Sequence, residues 1–292
     1  MKKLLFILVC LATACCAPKA DTQQPSKKDI GLQLYSLRDA FANDFDATIK
    51  IVGEAGYTTI EAAGYGDGKF YGKTPEEFKA AVEAAGLTVL SSHATKQLSE
   101  QELKTKDFSE SLVWWDATIA AHVAAGMKFI VSPGMGVPQS LADLQTYCDY
   151  YNAVGQRCKD NGLRFGYHNH AHEFTNVEGT LMYDYMLEHT NPELVFFQMD
   201  VYWAVVADRS PVAYFHKYPG RFTLLHIKDW KELGQSGMVG FDAIFNNIGI
   251  AGTRYLIVEV ESYSFDPAES VKISLDYLLK CPLVKESYAT GE

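Results

Sequence analysis

Four residues able to bind a metal ion recur at near-regular intervals along the chain: His168, Asp200, His226 and Glu259. The intervals are 32, 26 and 33 residues, each close to the length of one strand–helix unit. Side chains donated by successive parallel strands must recur at that length, because the carboxyl ends of such strands meet at one edge. A lone histidine is more often a hydrogen-bonded core residue, but four such groups together favour a site. The spacing therefore predicts one divalent ion, and the ligand types suit Mn, Co, Zn, Fe or Mg.

Other polar residues stand at the ends of the same apolar runs. His93 ends one run, and His170 follows His168 by two positions, as Glu261 follows Glu259. Residues two apart on a strand point to the same side, so both members of each pair are candidates for one interior. In a barrel of parallel strands, reactive side chains lie at the carboxyl ends of the strands. These polar ends therefore predict where the chemistry is.

The elements that must position these residues alternate between short β-branched or aromatic runs and longer amphipathic stretches. Eight runs are predicted to be strands: Ile30–Tyr35, Thr59–Glu61, Leu87–His93, Phe129–Ser132, Arg164–Asn169, Val195–Asp200, Phe222–Ile227 and Arg254–Glu259. Helices are predicted between them, among others over Asp46–Glu54, Pro75–Ala85, Leu112–Ala125, Leu141–Asn161 and Leu181–His189.

This alternation predicts a single α/β domain, a (β/α)₈ TIM barrel. Several helices end in a residue suited to the left-handed conformation, as Gly56 and Gly162 do, which is typical of strand–helix repeats. An open doubly wound sheet is the alternative fold. It would normally have a glycine-rich turn after its first strand, and Leu34–Arg38 contains no glycine.

The first residues have the features of an export signal. Met1–Lys3 is positively charged, and Leu4–Leu11 is apolar but too short to span a membrane. Small residues precede Cys15, as in a bacterial lipobox, so we expect residues 1–14 to be removed and Cys15 to be lipidated. The alternatives are lipidation of Cys16, or cleavage near Ala17 or Ala20 without a lipid. Residues 15–28 then form a tether and residues 29–292 the catalytic domain of an exported, periplasmic or outer-membrane lipoprotein.

Charge and cysteine content exclude some classes of protein. The formal net charge of −10 disfavours nucleic acid as a partner, because polyphosphates bind basic surfaces. Cys148 and Cys158 lie ten positions apart on one predicted helix, about 15 Å at 1.5 Å per residue, which is too far for a disulfide. We expect these two cysteines and Cys281 to be free. Contact with a membrane is expected only through the anchor, and the sequence is compatible with a homo-oligomer.

Around these residues the sequence resembles the xylose-isomerase-like TIM barrel superfamily, in particular its bacterial sugar phosphate isomerase/epimerase group and the related inosose dehydratases and keto-sugar lyases. The resemblance covers essentially the whole predicted domain. The motifs that carry it are Gly31–Asp39, Ile60-Glu61, Ser92-His93, Tyr167–His170 with Glu173-Phe174, Met199–Trp203, His226–Asp229 and Val258–Glu261.

The resemblance implies ligands and substrate contacts. The family holds its metal with a Glu, an Asp, a His and a second Glu, of which the last three correspond to Asp200, His226 and Glu259. The first ligand departs from that pattern, because His168 stands where a glutamate is expected, with His170 and Glu173 as nearby alternatives. The resemblance places substrate-binding positions at Gln33, Glu61, Trp203 and Glu173. Trp203 replaces a histidine of many members and could stack on a sugar ring.

The resemblance further implies an enzyme that removes a proton next to the carbonyl of a small-molecule sugar. Glu259 could act both as ligand and as base, and His93, His170 or Lys228 could act as acid or base on the other face. With imidazole in place of the first carboxylate, elimination from a keto-sugar or keto-glycoside is favoured over isomerisation or epimerisation of a sugar phosphate. A non-catalytic sugar-binding lipoprotein and an apurinic endonuclease are the alternatives. A binding protein leaves the polar strand ends unexplained, and the negative net charge argues against a nuclease that binds nucleic acid.

Overall fold

A computed structural model of the protein describes residues 27–289. Eight parallel strands close into a barrel in which successive strands pair and the first pairs with the last. We number them β1 Ile30–Gln33, β2 Thr59–Ala62, β3 Thr88–His93, β4 Phe129–Ser132, β5 Arg164–His168, β6 Val195–Asp200, β7 Leu224–Ile227 and β8 Tyr255–Val258. The predicted (β/α)₈ barrel is confirmed, with each predicted strand displaced by at most two residues at either end.

The described chain has eleven α-helices outside the barrel. They are α1 Arg38–Asn43, α2 Phe45–Ala55, α3 Pro75–Ala84, α4 Glu100–Thr105, α5 Ser109–Ala124, α6 Leu141–Asp160, α7 Met182–His189, α8 Val201–Val206, α9 Pro211–Lys217, α10 Phe241–Ala251 and α11 Pro267–Lys280. Two short 3-10 helices, Leu34–Leu37 and His172–Phe174, follow β1 and β5.

Local side-chain contacts explain where elements begin and end. β1 stops two residues before its predicted end because Gln33 Oε1 accepts a hydrogen bond from the backbone N of Tyr35 at 3.1 Å, which turns the chain into a 3-10 helix. α3 begins with a capping box between Thr74 and Glu77. α2 ends at Ala55, and the next residue, Gly56, has a φ of 107°, which is the left-handed conformation predicted for it.

The amino-terminal half of the barrel interior is closed by apolar side chains, which we call the barrel floor. Its buried members are Leu90, Phe129, Val131, Phe196, Leu224, Tyr255 and Ile257. Phe129 and Phe196 meet edge to face, with ring centroids 5.4 Å apart. Gly166 on β5 makes room for this layer, because a Cβ there would lie 2.4 Å from the Phe196 ring.

The amino-terminal predictions fall mostly outside the described residues. Residues 1–14 and Cys15 are among those the structure does not describe. Lys28, the last residue of the predicted tether, is buried, and its Nζ donates to the backbone oxygens of Leu278 at 2.9 Å and Cys281 at 2.6 Å. Lys28 is therefore packed against the barrel domain. Within residues 27–289, no helix has both the length and the apolar character needed to cross a membrane.

The three cysteines of the domain are free, as predicted. Cys148 and Cys158 are buried on α6, and burial raises the pKa of each thiol to about 12. They are therefore neutral thiols that pack in the core.

Candidate active site at the carboxyl end of the barrel

The four residues whose spacing predicts a metal site lie together. Ligand atoms of His168, Asp200, His226 and Glu259 are all within 4.8 Å of one another, and all four side chains are buried. They come from the ends of β5 to β7 and from the residue after β8. Strand register brings two of them level, because Asp200 pairs with His226 in the β6–β7 ladder. We call these four residues the metal cluster.

Two atoms of the metal cluster indicate that a cation fits there. His168 Nδ1 and Asp200 Oδ2 are buried and have no hydrogen-bond partner. Buried polar atoms without partners are rare in native proteins, and binding of an ion is one common reason for them. His226 Nδ1 lies 3.3 Å from Glu259 Oε2 and 4.0 Å from Asp200 Oδ2. Two imidazoles and two carboxylates converging in this way form a suitable donor set for a divalent ion.

The electrostatics of the metal cluster lead to the same interpretation. Burial, reinforced by the Glu259 carboxylate, raises the pKa of Asp200 to about 7, although Lys228 acts in the opposite direction. Burial alone would lower the pKa of His226, but Glu259 and Glu61 raise it to about 10. Burial alone would raise the pKa of Glu259, whereas Lys228 and His226 hold it well below its ordinary range. Without a cation, Asp200 is only partly ionised near neutral pH.

Glu61 lies beneath the metal cluster and organises it. Its Oε1 accepts hydrogen bonds from Gln33 Nε2 at 2.8 Å and from His226 Nε2 at 2.7 Å. Its Oε2 accepts from Ser91 Oγ at 2.7 Å and Gln198 Nε2 at 2.8 Å. Because His226 Nε2 donates to Glu61, Nδ1 is the ring nitrogen that faces the cluster, and a bound cation would displace its proton. Gln33 and Glu61, both predicted to contact substrate, are thus fully buried side chains directed toward each other.

His93 stands at the edge of the same network. Its Nε2 lies 3.0 Å from Glu61 Oε1 and 3.0 Å from Gln198 Oε1, both of which are acceptors. Nε2 therefore carries the hydrogen, which leaves the Nδ1 lone pair available. The His93 side chain is 12% exposed, enough to reach a bound molecule.

A cavity of about 300 Å³ opens beside the metal cluster. Glu259 and Glu261, from the end of β8, form one wall, and imidazoles from β3 and β5 form the other. Its lining residues are Tyr35, Ala63, His93, Pro133, His168, His170, Glu259 and Glu261. No lysine or arginine is among these described residues.

The predicted alternatives to His168 lie in a separate group. Glu173 is fully buried and accepts hydrogen bonds from Tyr167 Oη and from the backbone N of His170, both at 2.8 Å. It holds the loop after β5 and does not reach the cavity. His170 does line the cavity, its Nδ1 has no protein partner, and burial lowers its pKa to about 4. Of the three candidates, His168 is the one grouped with the other ligands.

Lys228 and Trp203 are not among the residues that line the cavity of about 300 Å³. Lys228 is 2% exposed, forms an ion pair with Glu261 and lies 3.6 Å from Glu259 Oε2. It therefore neutralises this wall of carboxylates. The backbone N of Trp203 donates to Asp200 Oδ1 at 2.9 Å, so Asp200 also caps α8. The Trp203 ring lines a neighbouring cavity that also contacts His170.

Sequence reasoning missed the buried amides and hydroxyls that support the ligands. Gln198 and Ser91 both hydrogen-bond Glu61, and Tyr167 hydrogen-bonds Glu173. A signal for two of them existed, because Gln198 precedes Asp200 and Ser91 precedes His93 by two positions on the same strands. Polar residues that alternate inward below a strand end are candidates for such support.

Comparisons with known proteins agree with this geometry. A family model described as xylose isomerase-like TIM barrel matches residues 49–281. A sugar phosphate isomerase/epimerase from Parabacteroides distasonis is 35% identical in sequence, with a TM-score of 0.81 over 88% of this chain and 100% of that one.

Two further relatives are more distant. The inosose dehydratase of Geobacillus kaustophilus is 25% identical over 196 residues, 63% of this chain. The match spans 61% of that dehydratase, less than two thirds of its length. The IolI protein, whose structure includes a bound zinc atom, is 11% identical with a TM-score of 0.65 over 88% of this chain, which shows the shared fold alone.

Proposed function

Because this chain belongs to the xylose isomerase-like TIM barrel family, we propose that it is a metal-dependent enzyme acting on a keto-sugar or keto-glycoside. We propose that it enolises this substrate and then eliminates an oxygen substituent, as a lyase or hydratase. The observation that carries the proposal is the metal cluster with its two unpartnered atoms, His168 Nδ1 and Asp200 Oδ2, beside a cavity that a sugar can enter. The inosose dehydratase and isomerase/epimerase relatives support a sugar substrate.

The metal cluster would hold the ion through His168, Asp200, His226 and Glu259. A divalent ion supplies Lewis acidity that stabilises negative charge developing on a carbonyl oxygen. Mn, Co, Zn, Fe and Mg all accept this donor set, and the zinc of the IolI protein supports the presence of an ion. Glu61 fixes the orientation of the His226 ring through its Nε2.

The two walls of the cavity carry different chemistry. Glu259 contacts His226 and Lys228 through Oε2, which leaves Oε1 to take a carbon-bound proton from the substrate. As that C–H bond breaks, its electron pair moves into the enolate and then into a new C=C bond, while the neighbouring C–O bond breaks. The departing oxygen takes a proton from the imidazole wall, at His93 after its Nδ1 has gained one from solvent, because burial keeps His170 neutral. One carboxylate wall facing one imidazole wall favours this asymmetric elimination over symmetric proton exchange between two carboxylates.

The second candidate is a sugar isomerase or epimerase, favoured by the 35% identical isomerase/epimerase structure. Both reactions begin with removal of the same kind of proton. A phosphorylated ketose fits the cavity less well, because its described lining contains two glutamates and no lysine or arginine. We therefore expect unphosphorylated substrates in either case.

Incubation with a 3-keto-glycoside in deuterated water, followed by NMR, tests the proposal. We expect an unsaturated or hydrated keto-sugar to form and a phosphorylated ketose to react poorly. Carbon-bound deuterium with inverted configuration and no elimination product would instead identify an epimerase. Neither exchange nor turnover on any keto-sugar would favour a sugar-binding lipoprotein.

We also infer that Cys15 carries a lipid that anchors the exported protein, which rests on the small residues before it. Cys15→Ala should release the protein from membranes or leave it unprocessed, because the thioether bond to the lipid needs the thiol. Fractionation and mass spectrometry check this, with Cys16→Ala as the matched control that should stay membrane-bound. A soluble, unmodified wild type would contradict the anchor.

A further inference from the structure

Two further cavities lie next to the cavity at the metal cluster. The second cavity, of about 510 Å³, shares Pro133 and His170 with the first. The third, of about 500 Å³, shares Gln97 and Gly136 with the second. The shared residues place the three cavities side by side, from the metal cluster across the segments that follow β3, β4 and β5. We call the second and third cavities together the side groove.

The opposite side of the mouth is crossed by contacts of Arg38. There Arg38 Nη1 donates to Tyr263 Oη at 2.9 Å, and the guanidinium lies 4.9 Å from the Tyr35 ring centroid. Arg38 Nη2 also contacts the backbone oxygen of Glu261 at 3.4 Å. These contacts bridge the segments that follow β1 and β8. A substrate longer than the first cavity therefore has room to extend along the side groove and little on this side.

The surface of the side groove suits sugar rings. Leu103, Val137 and Tyr147 provide apolar surface in its third cavity, and Gln97 and Asp143 provide hydrogen-bonding groups. Sugars present the same mixture of apolar ring faces and hydroxyls. The charged residues lining this cavity are two carboxylates, Glu100 and Asp143, and one lysine, Lys104, which disfavours an anionic group.

The size of the cavities indicates a substrate of more than one ring. Ligand sites usually occupy about 300–1,000 Å³, so the first cavity alone is at the small end of this range. The geometry points to the side groove as the binding site for the leaving portion, or aglycone, of a neutral glycoside, while the reacting ring lies between Glu259 and His170. This inference rests on the proposed function and adds a substrate class to it: uncharged disaccharides or longer glycosides.

Gly136 provides the test, because it lines both cavities of the side groove. A Cβ built there meets no atom within 4 Å, and its φ is not in the left-handed region. Gly136→Phe can therefore fill the groove without strain in the fold. Gly249→Phe is the matched control, since Gly249 is exposed on α10 and a Cβ there also meets nothing within 4 Å.

Binding and turnover are measured separately, so that the inference and the proposed function can fail independently. Calorimetry with maltose, cellobiose and methyl glucoside reports binding without chemistry. We expect Gly136→Phe to weaken disaccharide binding by about tenfold or more, about 1.4 kcal/mol, and to change methyl glucoside binding less than twofold. Gly249→Phe should match the wild type. The 3-keto derivatives of the same sugars should show the same pattern in kcat/KM.

The inference is overturned if Gly136→Phe affects both sugar sizes equally, or affects neither, or if the wild type binds disaccharides no better than methyl glucoside. If binding follows the expected pattern but no 3-keto derivative is turned over, the side groove stands as a glycoside site and the proposed reaction fails.

Discussion

The two ends of the barrel interior are equally buried and chemically opposite. The barrel floor is closed by Phe129, Phe196 and their apolar neighbours, and the mouth is lined by the metal cluster and Glu61. Strand β6 contributes a residue to each end. Phe196 belongs to the floor, and Asp200, four residues later, belongs to the metal cluster. Burial of the floor stabilises the fold, whereas burial of carboxylates at the mouth costs free energy unless a partner or cation compensates. The floor and the mouth should therefore respond oppositely to mutation.

Glu259→Gln should produce the largest effect, and only at the mouth. Replacing the carboxylate removes both a ligand and the proposed base, so we expect activity to fall by about 10²–10⁴-fold. The folded barrel should remain, because the amide has the same shape. Steady-state kinetics measures the loss of activity, and thermal unfolding shows whether the barrel remains folded. The exposed Glu193→Gln serves as control, and near-normal turnover by Glu259→Gln would exclude the assigned role.

Phe196→Ala should have the reverse effect. Its ring packs against Phe129 and over Gly166, so truncation leaves a cavity in the floor and should lower the free energy of unfolding by about 3–5 kcal/mol. The folded fraction should keep its metal and its activity. Denaturant unfolding measures the loss, with Phe265→Ala as control because that side chain is 49% exposed. Equal losses from both variants would contradict the assignment of the floor as core.

Removal of the ion should destabilise the mouth by a smaller amount. We expect about one divalent ion per purified chain, and a ligand that binds only the folded state at 100 times its Kd stabilises it by about 2.7 kcal/mol. A chelator should therefore lower the unfolding temperature of the wild type. Asp200→Ala and His226→Ala should lack the ion and respond little to the chelator. Full metal content in both variants, measured by elemental analysis, would remove the site assignment.

Glu61→Gln should have the smallest effect of the four. It weakens the acceptor that orients His226, and loss of such a supporting carboxylate typically lowers metal affinity by about 10–100-fold. Competition with a metal-binding dye measures the affinity. Ser91→Ala is the matched control, since it removes one donor to Glu61 and leaves the Glu61–His226 hydrogen bond in place. An unchanged affinity in Glu61→Gln would mean that packing alone holds the His226 ring.

The sequence by itself determined the barrel and which candidate ligands would lie together. Alternation of strand and helix signals, and glycine after helices, are local features that survive folding, so all eight strands were predictable to within two residues. The roughly one-repeat spacing of the four ligands followed from the geometry of successive parallel strands. The recurrence of polar residues at strand ends therefore sufficed to place His168, Asp200, His226 and Glu259 together.

Only the tertiary structure decided how deep each polar residue lies and what it contacts across the barrel. Glu61 on β2 and His226 on β7 are 165 residues apart and not on neighbouring strands, so no local pattern predicts their 2.7 Å contact. Lys228 likewise is paired with Glu261, in a contact between the segments that follow β7 and β8. Period-two alternation tells which side of a strand a residue faces. Its height in the interior depends on strand tilt and stagger, which are fixed only when the barrel closes.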